Sequence, residues 1–183
     1  MTLRIYHTMT FSTSALAVSI ALLSSGVAAS EPVAPPEAQR AFWSFTERIA
    51  LASPSDGRDL QALIPQSTVT TGTSRPGDTA LRQIAIAPTL SADNVAVVMG
   101  KNSPTATVSF DLSGSCIPFS AVRTRYPSLL VINHAANDLE WNTLGTQVAD
   151  SIIAFWYKGT DFSCMRRVEI KPAADTLSQL NLD

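Results

Sequence analysis

Three side chains in the stretch "HAANDLE" could share acid–base work: His134, Asp138 and Glu140. An imidazole beside two carboxylates can move a proton during hydrolysis, because one group takes the proton while another orients it. Asp138 and Glu140 share a parity, so a regular strand over 138–144 would aim both to one side, near His134 at the end of the strand before it. The same residues also make a solvated hairpin, which is the reading the sequence favours. Other chemistry has less support. The chain contains no G-x-S-x-G elbow, no S-x-x-K pair and neither of the familiar glycine-rich phosphate cradles. It lacks the spaced aspartates of a calcium loop, and His134 is the one histidine beyond residue 29, too few ligands for zinc. The expectation is a protein with no metal, no cofactor and no catalytic residue to name.

Sulfur chemistry is limited to Cys116, in "SGSCIPF", and Cys164, in "DFSCMRR". No C-x-x-C spacing tunes either thiol for redox exchange. In an oxidising compartment two cysteines pair, and Cys116 with Cys164 is the sole intrachain choice. Closing a loop of that length restricts the unfolded chain by roughly 4 kcal/mol. The bridge would staple the start of a short helix to a strand.

A third group of residues suits recognition. Phe155, Trp156 and Tyr157 are consecutive aromatics in the run "SIIAFWYK", and Trp141 lies on a neighbouring stretch. Consecutive residues of a strand alternate between faces. If Phe155 and Tyr157 face helices, Trp156 turns outward with Ile152 and Ala154, and Arg167 can join it from the last strand. Trp156, Ile152 and Arg167 are therefore the expected interaction surface, since tryptophan and arginine are enriched where proteins meet.

The chain's start bears on where this would happen. Arg4 precedes an apolar run from Ala15 to Leu23, which Ser24-Ser25-Gly26 closes, and small residues follow at Val27-Ala28-Ala29-Ser30. This is the layout of a secretory signal, cleaved after Ala29 or Ser30. The apolar run is about half the length a membrane span requires. Residues 1–29 are expected to be a signal peptide, 30–36 a flexible proline-rich leader, 37–172 a single domain and 173–183 a tail. The processed chain carries 12 basic against 15 acidic residues, which gives no reason to expect nucleic acid or an anionic membrane as partner. No later segment is apolar enough to span a bilayer.

These groups must be positioned by the elements around them. Phe42, Phe45 and Ile49 recur at helical spacing over 36–52, with Trp43 beside the stripe; a short second helix carries Leu60, Leu63 and Ile64. From residue 81 the pattern turns to strands: 82–90 and 94–101 with a turn at 91–94, then 105–112, 128–133, 138–144, 151–158 and 162–171. Phe119, Val122 and Tyr126 mark a short helix inserted between strands, and Pro127 ends it. Helices followed by closely spaced strands define an α+β domain, with N-terminal helices on one face of an antiparallel sheet, a short inserted helix and one disulfide. The function expected is a non-enzymatic periplasmic or secreted protein-binding module of inhibitor or immunity type, whose partner is another envelope or secreted protein. The alternatives are a small periplasmic hydrolase or ligand-binding enzyme using His134 with Asp138 or Glu140, and an envelope-structural subunit.

Overall fold

The structure is a computed structural model, and it describes residues 31–54, 58–64, 69–71, 83–99, 105–160 and 162–182. The expected signal peptide, the residues 65–68 and 72–82, and the residues 100–104 between two of the expected strands lie outside the described residues. The protein has an α+β fold in which a large sheet carries helices α1, Pro36–Ala52, and α3, Phe119–Arg125, on one face. Helix α2, Arg58–Leu63, follows α1, and α4, Ala173–Gln179, ends the described chain.

Helix α1 starts at Pro36, where a proline costs nothing because the first N–H groups of a helix have no acceptor. Ser53-Pro54 stops it, and the Ser53 carbonyl accepts the Ala106 N–H at 3.0 Å, tying the helix end to the sheet. Phe42 and Ile49 are buried as the periodicity predicts, and Trp43 widens the buried stripe together with Thr46. The Thr46 hydroxyl, in an apolar setting, finds acceptors in its own helix at the Phe42 and Trp43 carbonyls, both 3.1 Å away.

The strands are β1, Val69–Thr71, β2, Ile84–Ala87, β3, Leu90–Met99, β4, Ala106–Gly114, β5, Leu130–Asn133, β6, Trp141–Val148, β7, Ser151–Lys158, and β8, Met165–Pro172. They lie in the order β1-β3-β4-β8-β7-β6-β5, with β2 also on β3. The outer edge of β3 is shared: β2 pairs antiparallel with Leu90–Ala92, and β1 pairs parallel with Val97–Met99. Every other pairing is antiparallel. From β4 the chain crosses through α3 to β5 at the far edge, then returns strand by strand until β8 pairs with β4. That crossing brings α3 beside α1. Phe155 and Tyr157 of β7, Phe110 of β4 and Val168 and Ile170 of β8 form the sheet side of the core, each at most 1% exposed.

Two of the differences from the expected strands have clear local reasons. The turn expected at 91–94 falls instead at Pro88-Thr89, between Ala87 and its partner Leu90. Residues 91–94 run on within β3, and Asn94, at φ 52°, sits in a bulge where the register shifts between Asp93 and Ala96. Asparagine tolerates this left-handed backbone, so the same residue type that marks a turn also marks a bulge. The Ala87–Leu90 turn packs tightly on β4: Ser115 N–H donates to the Thr89 carbonyl at 2.7 Å, and a Cβ on Gly114, at φ 92°, would lie 2.3 Å from that oxygen. The second difference is in β8, which starts at Met165 rather than 162. Tyr157 pairs with Met165 and Trp156 with Arg167, so Arg166 is the extra residue of a bulge. This is why Arg166 breaks the alternation and why Met165 and Val168 both reach the core.

Cys116 and Cys164 form a disulfide with a Cα separation of 5.4 Å across 48 positions. Hydrogen bonds support the same junction, Met165 N–H donating to the Ile117 carbonyl at 3.0 Å. The proline-rich leader, expected to be flexible, is part of this junction. Val33 bridges to Cys116; Ala34 N–H donates to the Cys116 carbonyl at 2.7 Å, and Cys116 N–H to the Pro32 carbonyl at 2.8 Å. Glu31 pairs with Arg166 at 2.6 Å. Prolines leave carbonyls free to accept even where they remove donors, and the chain uses the Pro32 carbonyl in that way.

Candidate functional site

The sheet has two faces with different contents. One is packed on α1 and α3. The other carries a cross-strand row that includes Trp141 and Thr143 of β6, Trp156 and Lys158 of β7 and Arg167 of β8, since Thr143 pairs with Trp156, Trp141 with Lys158 and Trp156 with Arg167. The indoles of Trp141 and Trp156 meet edge to face at 6.1 Å, and the Lys158 ammonium lies 4.9 Å from the Trp141 ring centre. Such cation–π and edge-to-face contacts hold large rings in place at a partly exposed site. Lys158 also donates to the Leu139 carbonyl. Arg167 stands 3.8 Å from Asp111, and both side chains keep about 40% of their surface exposed.

Of the expected interaction residues, the structure brings Trp156 and Arg167 together as cross-strand partners. Ile152 shares their face but offers no surface: it is completely buried. A Cβ at Gly145 would lie 2.7 Å from Ile132 Cδ1 and 3.0 Å from Ile152 Cγ2, so the glycine lets a small apolar cluster close over this end of the sheet. Ile152 is therefore a packing residue beside the patch. Trp141 and Lys158 complete the patch, and the signal for them was the pairing of two alternating strands joined at Val148 to Ser151. Two buried polar atoms on the same face, Thr143 Oγ1 and Trp156 Nε1, have no hydrogen-bond partner among the described residues.

His134, Asp138 and Glu140 all lie on the exposed loop between β5 and β6, and Asp138 and Glu140 are not on a strand, because β6 starts at Trp141. Each is bonded to a different partner. The Glu140 carboxylate accepts Ala136 N–H and Asn137 Nδ2–H, both at 2.8 Å. Asp138 accepts the Thr160 hydroxyl at 2.8 Å. The His134 Nδ1 lies 3.0 Å from Asn142 Oδ1, which also accepts Ala135 N–H, while Asn142 Nδ2 donates to the Gly159 carbonyl. That network makes Asn142 Oδ1 an acceptor, so Nδ1 of His134 carries the proton. Among the described residues no carboxylate bonds the imidazole, and the three groups do not converge on a common point. Their chemistry is that of a stapled hairpin loop.

The Asp138 carboxyl is held below the usual aspartate range, first by the Thr160 hydroxyl and then by its N–H, both of which favour the charged form. A depressed folded-state value means the stabilising contribution is present above the unfolded aspartate value and is lost as pH falls through the folded one. Carbon-detected NMR titration of Asp138 is expected to give a midpoint below that of an unperturbed aspartate, and Thr160→Ala to move it back up. A midpoint unmoved by the substitution would assign the shift to another cause.

The surface between α1 and α3 holds two adjoining cavities of about 320 and 530 Å³, which share Trp43 and Arg125. Among the described residues no cluster of three or more His, Cys, Asp or Glu side chains is placed to hold a metal ion, and no helix is long and apolar enough to cross a membrane. Comparison with protein families, with curated proteins and with solved structures returned no match.

Proposed function

We propose that this protein is an exported, non-enzymatic binding module of inhibitor or immunity type, which engages another envelope or secreted protein through the sheet face that carries Trp141 and Trp156. The observation that carries this reading is the tryptophan pair at 6.1 Å, set between Lys158 and Arg167 on the face opposite α1 and α3. Aromatic and cationic side chains around a partly buried centre have the composition of binding hot spots. The unpartnered Trp156 Nε1 and Thr143 Oγ1 support it, because buried polar groups without partners are costly and a binding partner can satisfy them on rearrangement. A disulfide fits an oxidising compartment, and the amino-terminal pattern of charge, apolar run and small residues supports export. The bonded state of His134, Asp138 and Glu140 favours a binder over a hydrolase built on them.

The test is affinity capture from envelope and secreted fractions, followed by measurement of the dissociation constant for the recovered polypeptide. Trp156→Ala is expected to weaken that complex by about 30-fold or more, the effect of losing a hot-spot side chain of about 2 kcal/mol. The unfolding midpoint of the variant, measured in parallel, separates lost contact from lost fold. A complex that Trp156→Ala leaves unchanged, or whose activity tracks His134→Ala instead, would overturn the assignment.

A further inference from the structure

A second surface, on the opposite side of the sheet, has a different chemistry. Arg40, Ser44 and Arg48 follow one another at four-residue spacing along α1, so their side chains form a line on one face of the helix. They line the smaller cavity together with Leu51, Trp43 and Arg125. The adjoining cavity continues past Trp43 and Arg125 to Val33, Pro118 and Ala121. The two make one trough along the seam of α1 and α3. From Gln39 to Leu51 the helix rises about 18 Å, the length of five or six extended residues at about 3.3 Å each.

The charge in this trough is positive although the whole chain has a net charge of −2. Its one lining carboxylate, Glu47, is already committed: Arg125 donates to it through Nε at 3.0 Å and Nη2 at 2.7 and 2.9 Å, and the Tyr126 hydroxyl donates at 2.7 Å. Arg40 and Arg48 are exposed and have no ion pair among the described residues. Apolar side chains mark both ends, Leu51 and Val33 each being 61% exposed. The trough thus offers two free guanidinium groups about 12 Å apart along the helix axis, with an apolar contact at each end.

We infer that this seam binds an extended acidic segment of a partner polypeptide, with two carboxylates four residues apart facing Arg40 and Arg48 and apolar side chains reaching Leu51 and Val33. Residues four apart in an extended chain point to the same side and lie about 13 Å apart, which matches the arginine spacing. A small anion would meet only one guanidinium and would leave the apolar ends uncovered. The seam is independent of the tryptophan patch, because Trp43 packs on Phe155, whose side chain leaves β7 on the opposite face from Trp156.

The probe is the end-blocked peptide Leu-Ala-Asp-Ala-Ser-Ala-Glu-Ala-Val, whose apolar ends share a parity with its two acids, titrated into the purified disulfide-bonded protein and followed at the Trp43 indole N–H by two-dimensional NMR. Saturable shifts at Trp43 are expected, with an affinity that falls as salt is raised. Arg40→Glu with Arg48→Glu should weaken binding at least tenfold, and the milder Arg40→Gln with Arg48→Gln should weaken it in the same direction. A peptide with lysines at the acidic positions should not bind, and Trp156→Ala should leave the affinity unchanged. Shifts absent from Trp43, affinity indifferent to the arginine replacements, or the same shifts from inorganic phosphate alone would each overturn the inference. None of these outcomes depends on the tryptophan patch, so the two surfaces stand or fall separately.

Discussion

The double variant Cys116→Ala with Cys164→Ala is expected to lose about 4 kcal/mol of unfolding free energy, out of a typical total of about 5–15 kcal/mol. Most of that loss comes from the unfolded chain. The bridge closes a loop of 48 positions, and removing it lets the denatured ensemble expand. The folded junction survives without the sulfur–sulfur bond, because Cys116 keeps its backbone bonds to Pro32 and Ala34, and Ile117 keeps its bond to Met165. Urea unfolding followed by circular dichroism should therefore show a lower midpoint and a steeper denaturant slope, since the unbridged chain exposes more surface. Reduction of the unaltered protein should reproduce both changes. A loss below about 1 kcal/mol with an unchanged slope would mean that the unfolded chain is held compact by something other than the bridge. The experiment also bears on compartment: a protein that draws about 4 kcal/mol of stability from a bridge folds better where thiols oxidise.

How far this arrangement could be read from the chain depends on whether a feature is local. Helix α1 was legible because Phe42 and Ile49 repeat at helical spacing and Pro36 and Pro54 bracket it. The short helix at 119–125 was legible between Pro118 and Pro127 for the same reason. The outward turn of Trp156 follows from parity alone once Phe155 and Tyr157 are assigned to the core. Register was harder. Asn94 and Arg166 each add one residue to a strand, and a bulge has the same composition as a turn, so only the pairing partners Asp111 and Tyr157 decide between them. Burial of Ile152 was not legible, because it depends on Ile132 and on the missing side chain of Gly145. The pairing of the leader is not local either: its prolines read as an unpaired chain, while Val33 and Ala34 meet Cys116, far along the sequence. His134, Asp138 and Glu140 are neighbours in sequence, but their hydrogen bonds run to different partners, and those to Asn142 and Thr160 depend on other segments. Arg40 and Arg48 stand eight residues apart on α1 with Ser44 between them, and nothing in that local spacing marks a site. What makes a trough there is α3, brought alongside by the β4-to-β5 crossing and fixed by the Glu47–Arg125 pair.

Phe155→Ala is the other substitution with a large expected effect, about 3–5 kcal/mol of lost stability. Phe155 has no exposed surface and sits on β7, between β6 and β8. Its ring meets Trp43 of α1 edge to face at 6.2 Å and stacks on Tyr126, at the end of α3, at 5.8 Å. One side chain thus joins both helices to the middle of the sheet. Truncation removes its own transfer energy and leaves a cavity that two large rings, each held by further aromatic contacts, fill only in part. A double-mutant cycle with Trp43→Ala should return a coupling of about 0.5–1.5 kcal/mol, the size of an aromatic pair beyond simple burial. A loss under about 2 kcal/mol, or no coupling, would show that the helices are held to the sheet elsewhere. The comparison with Trp156→Ala is the informative one, because the two residues are adjacent in sequence and leave the strand on opposite faces. Phe155→Ala should lower stability strongly and disturb the proposed acidic-peptide seam through Trp43, while Trp156→Ala should lower stability less and weaken the proposed binding at the tryptophan patch. Alternation along β7 puts Phe155 against the helices and Trp156 on the opposite face, where it is partly exposed beside the buried Ile152 and Ala154, so adjacent substitutions test different sides of the sheet.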